Sequence, residues 1–377
     1  MGKFGKKNII STNPLDYSIC LCGVGGIGKT TLAIQVCEKL LGPDGYIHFN
    51  VGKESGVDAL NNAVTEPIDN WEKLEEVADD IIENKETDYP DLKMVIWDSF
   101  DELLLIGEDE TVRLYNKTVS ADKKAVTING AWGGFGKGLD KNINSILDIM
   151  WNLKKVGVQS FVIAHTKRSD IIDPITQATY SQLTADSQQR YFNALKNKMD
   201  IVAVGYIDRE IVTENLGRKN IVTHKEETTN RVKEEVRVIS FRDDENYAVD
   251  SKSRFAEITP KIPFDADEFI KAINDAIAAQ MKIGRVSDED AKAAQKKREE
   301  ERAEIATEYS KNQRENKIDV EANEELVSEI KTLFDEVDND KKQSAKDIMA
   351  ENGLKNFKDV SDVPTRVLQG IVDVLKA

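Results

Sequence analysis

Cysteine is scarce, with three in 377 residues, at positions 20, 22 and 37. An odd number without paired spacing does not build a disulfide framework and points to a reducing cytoplasm. Cys20 and Cys22 fall on one face of what reads as a strand, where buried packing is expected rather than metal binding. Nowhere do about 18 apolar residues follow one another, and the N-terminal lysines have no apolar segment behind them. The expectation is a soluble, non-secreted chain with no membrane partner. Positive charge is also short: 52 Lys and Arg face 68 Asp and Glu, a net charge of −16. The whole molecule therefore does not advertise nucleic-acid binding, and any such surface must be a local patch or loop. Solenoid-type repeats are missing too. The residues are 40 % hydrophobic and 32 % charged, which suits a core domain with a polar, solvated extension.

What is present is a glycine-rich loop. Gly23, Val24, Gly25, Gly26, Ile27, Gly28, Lys29 and Thr30 match G-x-x-x-x-G-K-[ST], with Thr31 next. A short apolar run at 17–22 precedes it, and Leu32, Ala33, Val36 and Leu40 follow at helical spacing. Strand, loop and helix in that order are the context the motif requires. The glycines let backbone N–H groups turn inward around phosphate oxygens, and the helix directs its positive end at the same place. Lys29 would reach the β- and γ-phosphates, and the Thr30 hydroxyl would join a Mg²⁺ shell. The motif implies binding of a nucleoside triphosphate.

Along the chain, residues 1–16 (Lys3, Lys6 and Lys7, then Ser-Thr-Asn-Pro) read as a mobile basic arm, either frayed or touching phosphate. Residues 46–50 form a second strand, and Gly52 to Gly56 a loop at its end. Trp71, Leu74, Val77, Ala78, Ile81 and Ile82 have helical spacing. Leu92 to Trp97 is a buried strand ending in Asp98, a carboxylate placed to hold Mg²⁺ through water. Residues 104–138 read as irregular, and 132–138 set two aromatics among glycines. Those rings either stack on single-stranded bases or tuck back onto the domain. A helix over 142–153 and a strand over 158–164 follow, closed by His165-Thr166-Lys167-Arg168, where open parallel sheets place ligands. His165 is a candidate γ-phosphate sensor, with capping of the loop as the plainer role, and Lys167 or Arg168 could touch phosphate in this subunit or a neighbour. Residues 169–190 read as a second polar loop, 201–206 as a strand and 221–241 as hairpin strands. Lys252 and Arg254 project to one side of a strand or turn, and 265–281 is an amphipathic helix. Residues 282–317 suit a solvated helical linker, and 318–377 an acidic stretch and a small helical module.

This alternation predicts an α/β fold: a mostly parallel sheet, helices on both faces, sites at its carboxyl edge, and a C-terminal helical extension. Val24 stands where ParA/MinD-type ATPases carry a lysine. The string Gly-Val-Gly-Gly-Ile-Gly-Lys-Thr-Thr-Leu-Ala resembles the loop of NB-ARC-type ATPases, but Asp98-Ser99 replaces their paired aspartates and no repeat array follows. Over about residues 15–270 the chain more closely resembles RecA-core ATPases of phages, relatives of RecA/RadA that act in DNA recombination and single-strand annealing. The resemblance rests on the loop at 23–30, Glu-Ser-Gly at 54–56, Val-Ile-Trp-Asp-Ser at 95–99, the glycine-aromatic stretch 132–138, Ala-His-Thr-Lys at 164–167 and Lys252-Ser-Arg254.

That resemblance implies ATP and Mg²⁺ as ligands, a RecA-like core over 17–281, and catalytic roles for Lys29, Glu54, Asp98, His165, Lys252 and Arg254. Glu54 resembles the glutamate that orients the attacking water, and His165 the polar sensor. Lys252 and Arg254 resemble cations inserted into a neighbour's site. It further implies single-stranded DNA on loops 104–138 and 168–190, a homo-oligomeric ring or filament, and a recombination partner such as a single-strand-binding protein. The chain departs from RecA in lacking its large N-terminal domain and in ending with the acidic stretch and helical module. A different class stays open: a nucleotide-dependent switch or scaffold that recruits a protein through that module.

Overall fold

The computed structural model describes residues 9–54, 62–219, 226–243, 248–316, 320–337, 339–354, 356–357, 360 and 363–376. Lys3, Lys6 and Lys7 of the expected arm, and Ser55 and Gly56 after Glu54, lie outside the described residues. The strands are β1 (Ile19–Gly23), β2 (Tyr46–Val51), β3 (Thr65–Ile68), β4 (Met94–Asp98), β5 (Gln159–Ile172) and β6 (Thr179–Ala185). They continue with β7 (Ile201–Lys219), β8 (Glu226–Ser240), β9 (Ala248–Val249), β10 (Lys252–Ser253) and β11 (Lys261–Pro263). The main sheet runs β11-β8-β7-β1-β5-β4-β2-β3. From β7 to β3 every pairing is parallel, and β8 and β11 add an antiparallel edge.

Side chains along a strand alternate between faces, and here both faces are apolar, as a sheet covered on two sides requires. Ile19 and Leu21 of β1 join one core with Phe161 and Ile163, while Cys20 and Cys22 join the other with Val162 and Ala164. The two sulfurs lie 3.8 Å apart in that core, as packing. The first core is covered by α1 (Lys29–Leu41) and, from the other end of the chain, by α6 (Ala266–Gly284). The second is covered by α2 (Trp71–Glu83), α3 (Phe100–Thr118), α4 (Lys137–Lys155) and α5 (Gln189–Lys198). Polar caps set the starts of α2 and α6. Asn70 accepts from Lys73 N at 2.9 Å to begin α2, and Asp265 accepts from the N–H groups of Asp267 and Glu268 to begin α6.

Four sequence expectations are corrected. Residues 104–138 are irregular only over 119–136, with short 3-10 turns: α3 fills 100–118, burying Phe100, Leu103, Leu104, Gly107 and Thr111 on one stripe. Gly107 is required there, because a Cβ would come 2.2 Å from Asn142 Oδ1 on α4. Residues 169–190 are not a loop, since β5 runs on past His165 and pairs antiparallel with β6. The strand expected at 201–206 extends to Lys219 as half of a long hairpin with β8. Finally, residues 9–16 are pinned rather than frayed, through α7 (Asp288–Asn316). Arg302 of α7 bonds Asp16 at 2.8 Å, and Gln295 accepts from Ser11 at 2.7 Å.

That last contact also changes the role of 282–317. The helix forms as expected, but Ala306 enters the second core and Ser310 Oγ donates to the carbonyl of Ile82 at 2.6 Å. Beyond it, α8 (Val320–Glu336), α9 (Asn339–Glu351) and α10 (Thr365–Lys376) enclose a separate core of Val327, Ile330, Ala345, Leu368 and Ile371. Among the described residues no helix is long and apolar enough to cross a membrane.

Candidate functional site

The carboxyl ends of β1, β5, β4 and β2 lie side by side, and each delivers a polar group. Register fixes the order: Gly23 lies beside His165, Ile163 beside Asp98, and Asp98 beside Asn50. One strand thus separates the phosphate loop from Asp98, a gap of about 10 Å. The first turn of α1 bridges it. Its backbone leaves the loop through Gly26 (φ 72°) and Gly28 (φ 106°), conformations that side chains other than glycine rarely adopt. Thr30 Oγ1 then donates to Asp98 Oδ2 at 2.6 Å.

Lys29 is 6 % exposed, and its ammonium folds back onto the carbonyls of Gly23 (3.1 Å) and Val24 (3.2 Å). Burial pulls its pKa below the ordinary lysine value, while the carboxylates of Asp98, Glu54 and Asp101 act to raise it. Glu54 is thus among the carboxylates whose charge the loop lysine feels. Glu102, in the first turn of α3, holds the segment carrying Glu54: its Oε2 accepts from Lys53 N at 3.1 Å. Gly52 makes room for it, because a Cβ there would meet that oxygen at 2.4 Å.

His165 sits between loop and Asp98, held by Asp101. One carboxylate oxygen, Oδ2, accepts from the His165 backbone N–H at 3.0 Å and contacts ring Nδ1 at 2.9 Å. This hydrogen bond raises the imidazole pKa, against burial and the nearby Lys29 charge. With Nδ1 committed to Asp101, Nε2 is the ring nitrogen left for a ligand. Sequence reasoning missed Asp101, Glu102 and His48. His48 is 1 % exposed on β2 and places Nε2 3.2 Å from Asp98 Oδ2 and Nδ1 3.4 Å from Thr65 Oγ1. Asp101 and Glu102 had a signal, since they follow a strand-end aspartate at the first turn of a helix. His48 had none, being one polar residue inside an apolar strand. Arg237 of β8 also approaches the loop, its Nη1 donating to Ile27 O at 3.4 Å.

The other expected site residues lie away from the phosphate loop of their own chain. Lys167 bonds Ser187 O and Asp186, and Arg168 bonds Ser181, so both brace the β5–β6 hairpin. Lys252 and Arg254 are at the opposite, amino edge of the sheet, where Lys252 pairs with Val202. The Lys252 ammonium caps α5 through the carbonyls of Lys196, Asn197 and Met199, and Arg254 bonds Asp200 at 2.6 Å. These bonds hold both side chains against their own chain. The two aromatics of 132–138 part company. Trp132 tucks back, donating to Thr111 O at 3.1 Å, whereas Phe135 is 96 % exposed.

The residues fit a Mg²⁺–nucleotide ligand. Asn50 Oδ1, Asp101 Oδ1 and Thr166 Oγ1, all at the carboxyl edge of the sheet, are buried without a hydrogen-bond partner. Such atoms call for a polar occupant. Thr30 and Asp98 supply the hard oxygen donors Mg²⁺ prefers. A phosphate loop on β1, an aspartate two strands away and a polar strand end between them define an α/β phosphate-loop NTPase. The particular family follows from comparison. A family model described as an AAA domain matches residues 15–255, about two thirds of the chain, and the chain belongs to that family. No curated protein matches it.

Proposed function

We propose that this chain hydrolyses ATP with Mg²⁺ and couples turnover to single-stranded DNA, in phage recombination or annealing, as a homo-oligomeric ring or filament. The observation that carries the hydrolytic part is the convergence of Lys29, Thr30, Asp98, Glu54 and His165 on one strand edge. Lys29 and the loop N–H groups bind the phosphates. Thr30 and Asp98 hold Mg²⁺, which neutralises phosphate charge when bound. Glu54 orients the attacking water, and His165 reads the γ-phosphate through Nε2. Positioning and charge neutralisation are most of what phosphoryl transfer demands.

DNA binding is supported by the turn Gly133-Gly134-Phe135-Gly136, which holds Phe135 in solvent with φ 53°. A ring so presented offers a stacking face to a base, worth about 1–3 kcal/mol. Fluorescence anisotropy with a labelled single-stranded oligonucleotide tests it. Phe135→Ala weakens binding about tenfold or more, and equal affinity removes the loop from the DNA surface. A second reading, the switch that recruits a protein partner, is favoured by the separate core of α8–α10. It predicts slow turnover indifferent to DNA.

A further inference from the structure

At the amino edge of the sheet, away from the phosphate loop, lies an open cavity of about 660 Å³. Its place follows from register: Asp200 and Arg254 flank the start of β7, which pairs with Ile19, four residues before Gly23. Four cations, Lys154, Arg254, Arg298 and Arg302, line it against two carboxylates, Asp16 and Asp200. Arg302 bonds Asp16 at 2.8 Å, while Arg254 (2.6 Å) and Lys154 (3.8 Å) share Asp200. The lining thus carries more positive than negative side chains, in a chain of net charge −16. Burial pulls Lys154 below the ordinary lysine value; Asp200 and Asp16 act to raise it, and Arg302 and Arg254 to lower it further.

We propose that this cavity is a second phosphate-binding site, taking a phosphate-bearing ligand of nucleotide size. Volume argues for size, because about 300–1,000 Å³ is the range of small-molecule sites. The wall argues for an apolar body beside the phosphate: Tyr17, Ile9 and Ile10 line it, with Tyr17 braced edge to face at 4.9 Å by the buried Phe255. The site is built from residues 9–17, the end of α4, the start of β7 and α7. An occupant therefore ties α7 to the sheet, far from the hydrolytic edge. The site does not depend on the function proposed above.

Calorimetric titration of the full chain carrying Lys29→Ala tests the site, because that change removes phosphate binding at the loop. ADP and pyrophosphate are titrated in turn, since an oligonucleotide would also meet the Phe135 loop proposed above to bind DNA. Expected is residual binding of at least one probe, with an accompanying rise in melting temperature. Adding Arg254→Ala, or separately Lys154→Gln, weakens it about tenfold or more. Tighter binding of ADP than of pyrophosphate supports a ligand of nucleotide size, and the reverse contradicts it. Melting curves of each variant without ligand confirm that the fold is kept. No binding of any probe by the Lys29→Ala chain at millimolar concentration overturns the proposal. So does binding that neither cavity substitution changes.

Discussion

Nε2 of His48 lies 3.2 Å from Oδ2 of Asp98, the same oxygen that accepts the Thr30 hydroxyl at 2.6 Å. The Thr65 hydroxyl, 3.4 Å from Nδ1, can donate to that nitrogen and leaves Nε2–H to donate to the carboxylate. His48 thus holds Asp98 from behind, as outer partners hold metal-binding carboxylates elsewhere. His48→Ala lowers apparent Mg²⁺ affinity in the ATP reaction by about 10- to 100-fold. His48→Gln, which keeps a donor, falls between. A Mg²⁺ titration of ATP hydrolysis shows it, and unchanged Mg²⁺ dependence in His48→Ala would remove the positioning role.

Asp101 raises the His165 pKa. The folded value therefore lies above the unfolded value of about 6.5, so the pair's stabilisation is fully present below that pH. It is lost as pH rises through the folded value. Asp101→Asn brings the imidazole midpoint down, measured by NMR titration, and flattens the fall of melting temperature across that window. A midpoint unmoved by Asp101→Asn would contradict the pairing.

Gly107 allows α3 and α4 to touch. A methyl group there meets Asn142, whose Nδ2 donates to Leu104 O at 3.1 Å and Tyr191 Oη at 3.2 Å. Gly107→Ala destabilises the chain by about 1–3 kcal/mol, through overpacking and the displaced amide. Denaturant unfolding measures this, and a loss under about 0.5 kcal/mol would mean that the helices simply part.

Lys252 is a cap in this structure, its ammonium on three carbonyls at 2.7–3.1 Å. Lys252→Ala leaves carbonyls at the end of α5 without a donor and costs about 1–3 kcal/mol of stability. Thermal unfolding of the variant is the check. An unchanged melting temperature would free Lys252 for some other role.

Elements buried on both sides were legible in the sequence, because a continuous apolar run that stops at a polar residue is the pattern of a strand covered on both faces. β1 with its loop, β4 with Asp98, and the stripes of α2 and α6 were readable in this way. What extends past the sheet was not. The distal half of β5 with β6, and the distal half of β7, carry polar residues on both faces, so alternation fades there, whereas β8 keeps enough of it to read as a hairpin strand. Helix α3 hid because Gly107 and Thr111 occupy its buried stripe where large apolar residues would have marked it. Docking of α7 hid for a similar reason, since its buried contacts are Ala291, Ala306 and Ser310. At the site, the phosphate loop and Asp98 could be read from order along the chain. The supports from His48, Asp101 and Glu102 are contacts between elements distant in sequence, and only the folded register brings them together.

The central claim is that Lys29, Thr30 and Asp98 form a site that turns over ATP in response to DNA. ATP hydrolysis measured with and without single-stranded DNA, for the native chain and for Lys29→Ala, tests it most directly. The expected result is turnover by the native chain that DNA stimulates at least about tenfold, and none above background by Lys29→Ala under either condition. Turnover that survives Lys29→Ala would contradict the site. Turnover abolished by Lys29→Ala yet indifferent to DNA would contradict the coupling and favour the protein-recruiting switch.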